Sequence, residues 1–185
     1  MLTFQKTNSL ATMFRLHLIS TGGTIEKTYD ELAGVLKNHV SVLDVMLESL
    51  DLRGVRITRQ ALMNKDSLDM TALDHQAIAN AAFEAARDHD GIVIVHGTDR
   101  LAMTGDAIWA RWSASDGPNV PVVLTGAMRP YEMRRTDAVQ NLTESLLAAQ
   151  ILSAGVYVVM HNKVLAFPGV TKDLIHGTFV KISAS

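Results

Sequence analysis

Apolar runs of strand length alternate with stretches of helical period along the chain, and this alternation restricts the fold more than any other feature. The runs are Leu16-His17-Leu18-Ile19, residues 55–63, Gly91-Ile92-Val93-Ile94-Val95, residues 120–124 and Gly155-Val156-Tyr157-Val158-Val159-Met160. Three of them are rich in β-branched residues and apolar at consecutive positions, as strands covered on both faces of a parallel sheet must be. Between the runs, Ala79, Phe83 and Ala86 recur at helical spacing, as do Leu142, Leu146 and Ala149. Thr71 followed by Asp74 predicts a capped helix start, and residues 42–50 and 101–112 read as further helices. The pattern predicts an α/β fold, a single domain with a doubly wound, mostly parallel sheet of the Rossmann or flavodoxin kind. No internal repeat or Pro/Ser-rich linker interrupts it, so residues 14–185 read as that one domain. Residues 1–13 are polar and mixed and read as a loose leader, with Met13 an alternative start.

Composition matters mainly for what it excludes. A formal net charge of −2 offers no basic footprint for nucleic acid or for an anionic membrane surface. No apolar run approaches the roughly 20 residues of a membrane-spanning helix. The chain has no cysteine, which removes disulfides, thiolate metal sites and a thiol nucleophile, and suits a reducing, cytoplasmic compartment. Its seven histidines form no His-Glu-x-x-His or other close ligand spacing, so neither metal nor cofactor is implied, and His96 reads as a strand-end hydrogen-bonder.

In a doubly wound sheet the ligand crevice lies outside the carboxyl ends of the strands, so the residues leaving the strands carry the chemistry. The first run exits into Ser20-Thr21-Gly22-Gly23-Thr24-Ile25. A Gly-Gly pair after a strand is by itself most often a tight turn. It lacks the Gly-Lys-Ser/Thr ending of a phosphate-binding loop and the spacing of a dinucleotide fingerprint. The third run exits into His96-Gly97-Thr98-Asp99-Arg100, where a hydroxyl beside a carboxylate ahead of a helix is equally consistent with an N-cap. Two threonine-bearing exits on one crevice suggest more, because a threonine hydroxyl becomes a nucleophile only with a base or relay nearby.

Four separated segments together carry a resemblance. Thr21-Gly22-Gly23-Thr24-Ile25, His96-Gly97-Thr98-Asp99, Gly126-Ala127-Met128-Arg129-Pro130 and Val170-Thr171-Lys172 resemble, in order and context, the bacterial-type L-asparaginase family, over residues 15–172. The resemblance implies the fold of that family's N-terminal domain and assigns roles to matching positions. Thr24 would be the nucleophile, and Tyr29, on the segment that follows, would complete its half of the site. Thr98 and Lys172 would form a second hydroxyl–amine unit. Asp99 would hold the substrate ammonium in a charge-assisted contact. Ser67, in Lys65-Asp66-Ser67-Leu68-Asp69-Met70, resembles the family's binder of the substrate carboxylate. A lysine acts as a base only where its surroundings disfavour the ammonium, and Asp99 favours it, so Lys172 is expected to orient and polarise Thr98. Arg129 is expected to be structural.

The implied chemistry is hydrolysis of the L-asparagine side-chain amide to aspartate and ammonia through a threonine acyl-enzyme, with backbone donors near Thr98 holding the oxyanion. A glutaminase-asparaginase, another small-amide amidase and a catalytically silent amino-acid-binding module stand as alternatives. The family also implies a homo-oligomer, a dimer or tetramer, and a small-molecule substrate as the partner. The sequence departs from the family in three places. Only residues 173–185 follow Lys172, where most members carry a second, smaller domain, so a short single-domain form is expected. Leu68 stands where longer members have glutamine. The segment 26–34 around Tyr29 is short and charged, with Gly34 an expected hinge for closure over substrate.

Overall fold

The apolar runs become the strands of one twisted sheet. The computed structural model describes residues 13–37, 41–115 and 117–182, so the expected leader lies, Met13 apart, outside the described residues. Strand β1 (Phe14–Gly22) leads through the hairpin β2 (Thr28–Asp30) and β3 (Val35–Lys37) to helix α1 (Leu43–Glu48) and strand β4 (Val55–Lys65). Helix α2 (Ala72–Ala85) returns the chain to β5 (Gly91–Val95), α3 (Leu101–Ser113) to β6 (Pro121–Thr125) and α4 (Ala138–Ile151) to β7 (Gly155–Met160). Strand β8 (Lys163–Ala166) and the hairpin β9 (Val170–Asp173) and β10 (Thr178–Lys181) follow.

The sheet order is β4-β1-β5-β6-β7-β8, parallel except for β8, which runs antiparallel to β7. Every residue of β5 is buried, because its alternate side chains enter two different cores. Ile92 and Ile94 pack with Val122, Leu124 and the α2 and α3 residues Ile78, Ala82, Ile108 and Trp112. Val93 and Val95 pack with Leu16, Leu18, Val123 and the α1 and α4 residues Leu43, Met46, Leu142 and Leu146. The helices thus cover both faces, as the uninterrupted apolar runs require. Thr71 and Asp74 close a reciprocal capping box at the start of α2, an arrangement worth about 1 kcal/mol.

Taken in chain order, the parallel strands lie 2-1-3-4-5. The chain therefore leaves β1 toward one edge and leaves β5 toward the other. The connections that follow thus diverge to opposite faces, the switch point at which sheets of this kind place their ligand site, and Thr24 and Thr98 stand at these two exits. Strand β8 and the two hairpins have no apolar-run signature, being only three or four residues long: β2, β3 and β8 bury no residue and are held by strand pairing, while Val170 and Phe179 also anchor the last hairpin in the core. Among the described residues, no helix is long and apolar enough to cross a membrane.

Candidate functional site

Close backbone approach holds the strand exits together. Gly22 and Gly23 adopt φ of 93° and 83°, a conformation that side chains disfavour. A β-carbon on Gly23 would stand 2.4 Å from the Gly97 backbone, and one on Gly97 would stand 2.6 Å from Ser67 Oγ. The β1 exit, the β5 exit and the turn at Ser67–Asp69 are thus stacked without room for one more carbon. Gly23 donates its amide to the Lys65 carbonyl at 3.0 Å, which ties the end of β4 into the same cluster.

Hairpin β9–β10 carries Lys172 opposite Phe179, whose ring is buried, and so sends the lysine toward the β5 exit. Lys172 Nζ donates to Thr98 Oγ1 at 2.9 Å and to Asp99 Oδ1 at 2.7 Å, with only 16% of its side chain exposed. Because Thr98 Oγ1 accepts from Lys172, its own proton is free to point elsewhere. The backbone N–H groups of Thr98 and Asp99 donate to no group among the described residues.

Thr24 is half-buried at the start of a single 3-10 turn spanning Thr24–Glu26. Two side chains that the motif reading overlooks brace this turn. Lys27 Nζ pairs with Asp66 Oδ2 at 2.7 Å, joining the β1 exit to the Ser67 turn and holding the Asp66 carboxyl below its usual range. The Glu26 carboxyl, 3% exposed, accepts from the Gly22 amide at 3.2 Å. Burial pushes Glu26 up, against the opposing pull of Ser41, the Gly22 amide and the Arg59 charge. A carboxyl raised in the folded state adds stability below its unfolded value and loses that contribution as pH rises through the folded value. Glu26→Gln is therefore expected to raise the thermal midpoint at pH 8 by about 2–4 °C, the shift from ~1 kcal/mol in a chain this size, and to change little at pH 4.5. Scanning calorimetry at both pH values checks this, and equal shifts at the two would contradict it.

The other expected residues are less closely gathered. Tyr29 lies on β2, 61% exposed, and its backbone amide, not its ring, is held, donating to Glu132 Oε2 at 2.8 Å. A cleft of about 520 Å³ runs beneath this hairpin, lined by Tyr29, Leu36, Glu132 and Met133. Gly34 has a φ of 68° and donates to the Asp30 carbonyl at 2.7 Å, so it forms the turn of the hairpin. Ser67 is fully buried under Gly97 and takes a long 3.4 Å hydrogen bond from the Arg100 amide; contact with a ligand requires its turn to shift. Leu68 beside it is exposed.

Arg129 acts through its backbone. The Met128 and Arg129 amides both donate to Asp137 at 2.9 Å, and Asn141 Nδ2 and His161 Nε2 approach the same carboxylate at 2.8 Å. Burial alone would raise Asp137, yet these partners outweigh it and hold the carboxyl below its usual range. Asn141 also donates to the Gly126 carbonyl at 2.9 Å, so one buried hub shapes the Gly126–Pro130 segment. His96 is a strand-end hydrogen-bonder, as its position suggests: Nδ1 meets the Gly97 carbonyl at 2.7 Å and Nε2 meets Thr104 Oγ1 at 2.8 Å. Thr104 in turn meets His75 Nδ1 at 2.7 Å, a contact between α3 and α2 with no local signal in the sequence. Among the described residues, no group of three or more histidine, aspartate or glutamate side chains is placed to hold a metal.

Comparison with known proteins identifies a family and a shared fold. Residues 15–178 match the family described as asparaginase, N-terminal. The chain is 35% identical over 161 residues to an L-asparaginase of Thermococcus kodakarensis, covering 85% of this chain and 47% of that protein. It is 33% identical over 172 residues to a glutamyl-tRNA(Gln) amidotransferase subunit of Aeropyrum pernix, covering 89% of this chain and 40% of that protein. The solved thermostable L-asparaginase from Thermococcus kodakarensis superposes with a TM-score of 0.81 at 32% identity, over 93% of this chain and 52% of that one. The chain thus spans about half the length of the relatives it matches. With the family's fold, its strand-exit segments in order and a match from Arg15 to Thr178, the chain belongs to the asparaginase family.

Proposed function

We propose that this chain carries an amidohydrolase site for the side-chain amide of L-asparagine, with Thr24 as nucleophile. The observation that supports it best is the Lys172–Thr98–Asp99 unit, bonded at 2.7–2.9 Å and set on the exit packed against the Thr24 turn. Thr24 Oγ attacks the amide carbon, and the amides at Thr98 and Asp99, unengaged among the described residues, receive the oxyanion. The hydroxyl proton passes to the departing nitrogen, ammonia leaves, and water then splits the ester to release aspartate and restore the hydroxyl. Asp99 takes the substrate ammonium while Lys172 polarises Thr98. Tyr29, on its hairpin, closes over Thr24, and Ser67 takes the α-carboxylate once its turn opens. The substrate is a free amino acid, and the working assembly is at least a dimer.

Similarity to amidotransferase subunits supports a second reading, in which glutamine is the amide donor and the ammonia is passed to another protein. Ammonia release from asparagine and glutamine at equal low concentration separates the two. One extra methylene displaces the amide carbon from a fixed nucleophile, so asparagine is expected to be faster by about 10-fold or more. Faster glutamine turnover would overturn the asparagine preference and favour the second reading. Binding of either amino acid without turnover would leave only a binding module.

A further inference from the structure

His96 closes β5 with no exposed surface, and both of its ring nitrogens are engaged. The Gly97 carbonyl can only accept, so His96 Nδ1 carries a proton. Burial pushes the ring down to about 4, so at neutral pH Nε2 is a bare lone pair and the Thr104 hydroxyl donates to it. That hydroxyl has no second proton, so it accepts from His75 Nδ1. The direction of every hydrogen bond from His75 through Thr104 and His96 to Gly97 follows from that one carbonyl and the neutral His96 ring. In the neutral ring that burial favours, His75 Nε2 is also a lone pair, and it meets no hydrogen-bond partner among the described residues. An orphaned polar atom is destabilising, and an apolar side chain at this position would avoid it.

In a trans peptide the C=O and N–H point in opposite directions. A Gly97 carbonyl held toward the His96 ring turns the Thr98 N–H away from the core. We infer that His75 and Thr104 are positioning residues, which act through His96 to lock the Gly97–Thr98 peptide and so aim the Thr98 amide at the oxyanion. The inference rests on the amidohydrolase reading above. Neither residue touches substrate.

Thr104→Val is expected to lower kcat for asparagine by about 10-fold with KM within about twofold, because full loss of one oxyanion donor costs roughly 10²–10³ and here the donor is only loosened. Thr104→Ser, which restores the hydroxyl, should recover most of the rate. His75→Leu should lower kcat severalfold without lowering the thermal midpoint, and it covers the case in which the valine variant folds poorly. In ¹⁵N NMR, the Thr98 amide and His96 ring resonances should move in both non-polar variants. The inference is overturned if kcat and both resonances stay at parental values in His75→Leu and Thr104→Val, or if the serine variant is as slow as the valine one. A parent chain that releases ammonia from neither amide would refute the amidohydrolase reading; the Thr98 and His96 resonances would still decide whether the relay locks the peptide.

Discussion

Thr24→Ala is expected to reduce ammonia release from asparagine by roughly 10³-fold or more while leaving the fold intact, since removal of a covalent nucleophile leaves only the contributions of binding and the oxyanion donors. The turn does not depend on the hydroxyl. No hydrogen bond holds the Thr24 side chain among the described residues, and the turn closes through backbone bonds from Glu26 to Gly23 and from Lys27 to Thr24, both 3.2 Å. Those bonds survive the substitution, as do the Lys27–Asp66 pair and the Glu26 contact to Gly22. The thermal midpoint should therefore move by no more than about 2–4 °C, corresponding to ~1 kcal/mol in a chain of this size. Steady-state kinetics with a parallel melt distinguishes lost chemistry from lost folding. Unchanged activity in a folded variant would move the nucleophile assignment away from Thr24, with Thr98 the next hydroxyl on the crevice.

Asp137→Ala should produce the largest loss of stability. Its carboxylate is 4% exposed and serves the Met128 and Arg129 amides, Asn141 and His161 at 2.8–2.9 Å. Truncation leaves the buried Asn141 amide and three partly buried donors without their acceptor, and breaking a charged hub of this kind costs about 3–5 kcal/mol. The midpoint at pH 7 should fall by roughly 10 °C. Because Asp137 is held below its unfolded value, its contribution is present above the ordinary carboxylate range and fades as pH falls through the folded value. The gap between parent and variant should therefore narrow in acid. A variant that melts within about 2 °C of the parent at pH 7 would mean that the hub is not a structural keystone.

The main strands and helices were legible because each repeats a local rule many times. Runs such as Ile92-Val93-Ile94-Val95 require cover on both faces, and the spacing of Leu142, Leu146 and Ala149 predicts a buried helical stripe, which α4 presents. The Thr71–Asp74 start was readable for the same reason, since its partners are three residues apart. Strand β8 and the hairpins were not, because a segment of three or four residues is too short to show a period and forms a strand only when a partner is beside it. The site divides in the same way. Thr24, Thr98, Asp99 and Lys172 sit in recognisable segments, and the contacts joining Lys172 to Thr98 and Asp99 span 74 and 73 positions. The braces around them pair residues to which no segment assigns a role: Lys27 meets Asp66 across 39 positions and His75 meets Thr104 across 29.

By itself, then, the sequence determined an α/β fold with its chemistry at the strand exits, because periodicity and turn residues act over a few neighbours. Only the tertiary structure decided that the Gly23 and Gly97 backbones touch and that Lys172 reaches Thr98 and Asp99. It also decided that Arg129 contributes its amide more closely than its guanidinium, which stands 3.9 Å from Asp137. Those outcomes depend on which strand lies next to which. The 2-1-3-4-5 order sets β1 beside β5, and pairing of that range is specified by the packing of two whole cores, not by any local stretch of chain.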